Sequence, residues 1–235
     1  MSAAPQGENR CGWPQAVLFD LDGTLIDSAP DIAAAVNELL AAHGLPAQSL
    51  DAVRAMIGNG VRKLVERAFA AAGAPLEEAA LEARHEEMMA IYGRHLVNLT
   101  VMLPGATEIV TAYHRARVKT GVVTNKPEGF TRTILDHFGL SGSVDVVVGG
   151  DTGPARKPAP DMLLHALSQV GLHPGRSLMV GDSAADVGAA RAAGMAVIVV
   201  RGGYTATPAD ELGADLVIDT LAQLPQAIER LKEPA

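Results

Sequence analysis

Cysteine is almost absent from this 235-residue chain: Cys11 is the only one, so no disulfide can form within it. That usage fits a reducing, cytoplasmic compartment. Aromatic residues are few as well, at 3%, so aliphatic side chains must build the core. Positive charge is in deficit, with 19 Lys and Arg against 27 Asp and Glu, a net charge of -8. Such a balance argues against nucleic acid or an anionic membrane as partner. Any anionic small-molecule substrate must then be captured by local cations. No apolar run approaches the length of a membrane span. The segment from Met1 to Asn9 is polar and lacks the apolar centre of a signal peptide. Residues 1–14 read as a flexible tail, and Cys11, with no chemical partner nearby, has no catalytic role there. Gly58-Asn59-Gly60 is no dinucleotide fingerprint, and Gly149 to Lys157 lacks the spacing of a P-loop. The seven histidines show no metal-ligand spacing.

What the chain does have is Val17-Leu18-Phe19 running into Asp20-Leu21-Asp22-Gly23-Thr24. A short apolar run reads as a buried parallel strand. Open α/β sheets place ligands at the C-terminal ends of their strands. Two carboxylates there can share a hard cation, and magnesium takes one or two carboxylates together with substrate oxygens. A carboxylate in that position can also attack phosphorus. Asp-Gly is common turn chemistry too, so these residues alone leave an acidic turn open. Three later runs repeat the arrangement. Lys119–Val123 leads to Thr124 and Asn125, Val144–Val148 leads on to Lys157, and Ser177–Val180 leads to Asp182 and Asp186. A hydroxyl, a lysine and an acidic pair at successive strand ends are the parts that phosphoryl transfer requires.

Residues 28–98 have a different texture. They are rich in Ala and Leu, with charges on a helical period, and helices are expected over 30–43, 49–56, 60–73 and 76–96. From about residue 100 β-α alternation resumes, with helices near 105–117, 129–138, 160–170, 184–193 and 221–231 and a last strand near 215–218. The fold class is therefore α/β. A Rossmann-like parallel sheet core (15–27 and 99–235) carries an inserted all-helical cap domain (28–98), hinged near Asp27-Ser28 and Asn98–Leu103.

In this order the motifs resemble the haloacid dehalogenase superfamily of phosphatases. Asp20-Leu21-Asp22-Gly23-Thr24 matches its first motif, Thr124 the second, Lys157 the third and Gly181-Asp182-Ser183-Ala184-Ala185-Asp186 the fourth. The resemblance implies a Mg²⁺-dependent phosphate monoester hydrolase with an aspartyl-phosphate intermediate. Asp20 is the expected nucleophile and Asp22 the general acid and base. Asp20, the Asp22 backbone carbonyl and Asp182 are the expected metal ligands, with Asp186 behind them or orienting Lys157. Thr124, the backbone N–H of Asn125 and Lys157 are expected on the phosphoryl group. Asp22–Ile32, Ile57–Ala68 and Val123–Pro127 look like the phosphoglycolate phosphatase branch, which implies 2-phosphoglycolate as substrate. A sugar phosphate such as an amino-sugar 6-phosphate, or a phosphomutase reaction, is the alternative; Asp22 and Thr24 argue against a metal-free dehalogenase. For the substrate carboxylate, the expected partners are the Gly58-Asn59-Gly60 loop and Arg62 or Lys63 in the helix that follows.

Overall fold

The computed structural model describes residues 12–153 and 155–232. Six parallel strands form the central sheet: β1 (Ala16–Phe19), β4 (Lys119–Val123), β5 (Val146–Val148), β6 (Ser177–Gly181), β7 (Ala196–Val200) and β8 (Leu216–Ile218), in the order β5-β4-β1-β6-β7-β8. Both faces are covered, which is why these strands read as unbroken apolar runs rather than as alternating ones. Val17, Phe19, Val122, Leu178 and Val180 belong to one buried layer. Leu18, Val123, Val148, Met179 and Val197 belong to the opposite layer. Helices α5 (Ala106–Arg115), α6 (Glu128–His137) and α9 (Leu224–Lys232) contribute to the first layer, α7 (Asp161–Val170) and α8 (Ala184–Ala193) to the second. The strand Ala196–Val200 was not singled out in the sequence, although its run of β-branched residues is plain.

Between the first and second strands of the sheet lie α1 (Ala29–Ala42), α2 (Leu50–Arg54), α3 (Val61–Ala71) and α4 (Glu78–Tyr92). They pack on one another, with α1 against α2, α3 and α4, and α3 against α4. The four expected helices are all present; the last stops at Tyr92 rather than 96. The connections into and out of this bundle pair with each other. β2 (Ile26–Asp27) and β3 (Val101–Met102) form a short antiparallel ribbon, a long-range pairing that local sequence does not announce.

The expected tail needs correction at its end. Residues 1–11, Cys11 included, lie outside the described residues, but Trp13 is buried in the core and the Gln15 N–H donates to Arg176 O at 2.7 Å. An indole is the largest apolar surface available in an aromatic-poor chain, and its burial anchors the start of β1. No helix among the described residues is long and apolar enough to cross a membrane.

Candidate active site

β1 is central, β4 lies on one side of it and β6 on the other. The register sets Phe19 level with Val122 and Val180, so Asp20, Thr124 and Asp182 emerge together at three adjacent strand ends. The order of strands reverses at β1, which opens a crevice there. Asp20 Oδ1 accepts from the Leu21 N–H at 2.7 Å and lies 3.0 Å from Lys157 Nζ. Burial outweighs the attraction of Lys157, and the Asp20 carboxyl is pushed up to about 6.

Lys157 comes from the loop after β5 and is buried. Its ammonium meets three acceptors: Val123 O at 2.8 Å, Asp186 Oδ1 at 2.6 Å and Asp20. Burial works against the charge, but Asp186 and Asp20 outweigh it and hold the ammonium above the ordinary lysine range. Asp186 is fully engaged. Its other oxygen accepts from the N–H groups of Asp182 and Ser183 and from the Ser183 hydroxyl, a capping box at the start of α8.

Asp182 is held by Thr24 Oγ1 at 3.1 Å and the Tyr204 N–H at 2.6 Å. Its carboxyl is raised well above the ordinary value, first by burial, then by Asp186 and Asp20. The chain closes tightly around it. Gly23, at φ +83°, and Gly203 both lie where a Cβ would collide with the Asp182 side chain. Oxygens of Asp20, Asp182 and Asp186 lie within 4.8 Å of one another. Because Asp186 already neutralises Lys157 and caps α8, Asp20 and Asp182 are the pair suited to a divalent cation. Crowded buried carboxylates of this kind are what such an ion relieves.

Asp22 accepts from the Ser28 hydroxyl at 2.6 Å. It is also gripped by Lys126, whose Nζ lies 2.8 and 3.0 Å from the two carboxylate oxygens. Lys126 donates in addition to the Tyr92 hydroxyl at 2.5 Å. Burial pushes the Tyr92 phenol up to about 12. Sequence reasoning missed Lys126, Tyr92, Ser28 and Tyr204 as site residues. Lys126 stood two residues beyond Thr124 and could have been found by its place at a strand end; Tyr92 carried no signal beyond the rarity of aromatics.

Thr124 and Asn125 are buried at the end of β4. The Asn125 amide donates to Lys157 O and accepts from Lys157 N–H, at 3.0 and 3.1 Å, and also donates to Gly58 O at 2.9 Å. Gly58 and Gly60 line the cavity over Asp20; Asn59 does not. Arg62 and Lys63 need correction. Neither lines the cavity, because Val61, Leu64 and Val65 form the buried stripe of α3 and turn positions 62 and 63 outward. Arg62 pairs with Glu78 at 2.5 Å and Lys63 with Glu66 at 2.7 Å.

A family model of haloacid dehalogenase-like hydrolases matches residues 14–194. A phosphoglycolate phosphatase of Caulobacter vibrioides is 40% identical over 211 residues, covering 90% of this chain and 89% of that protein. One from Rhodospirillum rubrum is 41% identical over 215 residues, covering 90% and 89%. The crystal structure of a predicted phosphoglycolate phosphatase from Haemophilus somnus 129PT superposes with a TM-score of 0.85 at 32% identity, over 91% of this chain and 97% of that one. With an acidic strand-end crevice, a buried lysine and these likenesses together, the chain belongs to the haloacid dehalogenase-like hydrolases, as a phosphoric monoester hydrolase.

Proposed function

We propose that this hydrolase converts 2-phosphoglycolate to glycolate and phosphate, with Asp20 as nucleophile. The convergence of Asp20, Thr124, Lys157 and Asp182 at adjacent strand ends carries the reading. Asp20 attacks phosphorus as the ester P–O bond breaks, and Asp22 gives its proton to the departing oxygen. Asp22 then takes a proton from water, whose oxygen displaces Asp20 from phosphorus. Lys157 holds Asp20 in place, and Thr124 with the Asn125 N–H presents donors to the phosphoryl oxygens. Asp20, Asp182 and the Asp22 carbonyl would hold Mg²⁺, which supplies charge neutralisation between carboxylate and phosphoryl group. Residues 28–98 act as the cap over this crevice, and the enzyme works in the cytoplasm.

The cavity supports a small substrate. On the side of the helical insertion it is lined by Ile32, Ile57, Val61 and Leu64. A sugar would leave several hydroxyls against that wall without partners, at a cost of about 1–3 kcal/mol each. A carboxylate can instead meet backbone N–H groups of the Gly58–Gly60 loop and the first turn of α3, where Gly60 offers no capping side chain. Phosphate release should be measured on 2-phosphoglycolate, an amino-sugar 6-phosphate and a hexose 1-phosphate, with Mg²⁺ and with chelator. Highest kcat/KM on 2-phosphoglycolate, lost with chelator, is the expected result. Preference for the amino-sugar ester, or phosphoryl transfer to product that needs a bisphosphate, would replace this assignment.

A further inference from the structure

The grip on Asp22 has an unusual composition. Lys126 belongs to the sheet core, just beyond β4, and its side chain is buried. It is the only cationic side chain among the described residues that line the cavity. Its ammonium spans both oxygens of Asp22, and the Tyr92 hydroxyl takes its remaining donor. Three donors thus meet three acceptors, so this lysine is arranged to hold Asp22 and not to reach for a phosphoryl group. Tyr92 comes from the other side of the seam. It ends α4 of the helical insertion, is itself buried, and sets its ring edge-on against Phe130 of α6 at 5.5 Å. The same ammonium lies 4.8 Å from the Tyr92 ring centroid.

We propose that Lys126 is a positioning residue for Asp22, and that the helical insertion sets it through the Tyr92 hydroxyl. The proposal rests on reading Asp22 as the acid and base of the reaction. A carboxylate that must deliver a proton to one departing oxygen needs a fixed plane, and small misplacements at a reacting centre are costly. Ser28 and Lys126 both donate to Asp22 Oδ1, whereas Oδ2 takes only the longer contact from Lys126. That asymmetry leaves Oδ2 the less committed oxygen for proton transfer. When the insertion is seated, every donor of Lys126 is used. When Tyr92 withdraws, the buried ammonium is left one acceptor short, and the third contact that fixes its orientation over Asp22 is lost. A fixed orientation of the Asp22 carboxyl therefore goes with a seated insertion.

The test compares two esters that differ in how much their leaving group needs a proton. An alkyl phosphate that the wild type turns over, 2-phosphoglycolate first, needs it; p-nitrophenyl phosphate needs it little. Lys126→Met should lower kcat on the alkyl ester on the order of 10²-fold, but by about tenfold or less on the aryl ester, with KM little moved. Tyr92→Phe, which keeps the ring and its packing, should show the same skew at smaller size and stands by itself should Lys126→Met fail to fold. Asp22→Asn is the reference. If it shows no skew, the acid reading fails and the proposal falls with it. If it shows the skew while Lys126→Met loses equally on both esters, or on neither, only the proposal is overturned. A skew in Lys126→Met without one in Tyr92→Phe overturns the link to the insertion.

Discussion

Asp20, the proposed nucleophile, owes its position to where a four-residue strand stops. One residue earlier, Phe19 is packed in the core; Asp20 is the first side chain to clear it, and Leu21 turns back inward. Replacing Asp20 by Asn should preserve the fold and lower turnover by at least ~10³-fold, the scale of losing a group that acts in concert with others. Trapping with beryllium fluoride should fail in that variant and succeed in the wild type. The pH behaviour has a definite sign. The Asp20 carboxyl sits at about 6 in the folded protein against an ordinary 3.8. The folded state thus binds more protons than the unfolded chain between these values, and without metal its stability falls as pH rises through that window. A divalent cation held by Asp20 would bind the ionised form and reverse that loss. The gain in Tm on adding MgCl₂ should therefore be largest above about pH 7 and shrink toward about pH 5, where protons compete for Asp20. Differential scanning fluorimetry with and without metal at both pH values checks this; a gain that grows on acidification would contradict it.

Among the elements, the short ribbon of β2 and β3 is the least expected and the most consequential. It ties the two strands of chain that enter and leave the helical insertion. Tyr204 braces it, donating its hydroxyl to Asp27 and accepting from the N–H groups of Ser28 and Ala29. Asp31, buried in the first turn of α1, accepts from the N–H groups of Leu99 and Thr100 and from the Thr100 hydroxyl. Asp31→Ala would strand these donors and should destabilise the protein by about 3 kcal/mol, read from urea unfolding. The α3 helix makes the opposite point. Its charged residues at 62 and 63 look like an anion site in sequence, yet both are bonded to glutamates on the outer face. Arg62→Ala/Lys63→Ala should change kcat/KM for 2-phosphoglycolate by no more than about twofold, as expected for surface substitutions. A selective loss on that ester would restore them to the site.

At the scale of the whole molecule, the strand order decides which strand-end groups share the crevice. Chain connectivity sends β4 to one side of β1 and brings β6 back to the other, so groups more than 150 residues apart, Thr24 and Asp182, share a hydrogen bond. Trp13 closes the far end of the same assembly. Trp13→Ala should cost about 3–5 kcal/mol, the usual range for emptying an aromatic site in a core. Because it is the only tryptophan, its fluorescence in the wild type should report unfolding of the sheet core directly.

Much of this was legible in the sequence because it rests on local chemistry. Apolar runs that stop at Asp20, Thr124 and Asp182 declare buried strands and what they deliver, and the helical texture of 28–98 declares the insertion. Asp186 was legible for the same reason, four residues beyond Asp182 in the first turn of the helix that follows the strand. What the sequence could not supply was contact across the chain. Lys126 and Tyr92 are 34 residues apart and meet only because one element folds over another. The outward turn of Arg62 is a different case: the apolar spacing of Val61, Leu64, Val65, Ala68 and Phe69 already marks the buried stripe of α3, and positions 62 and 63 fall outside it. Position along the chain fixes which groups stand at the ends of elements; only packing between elements decides which of those groups touch.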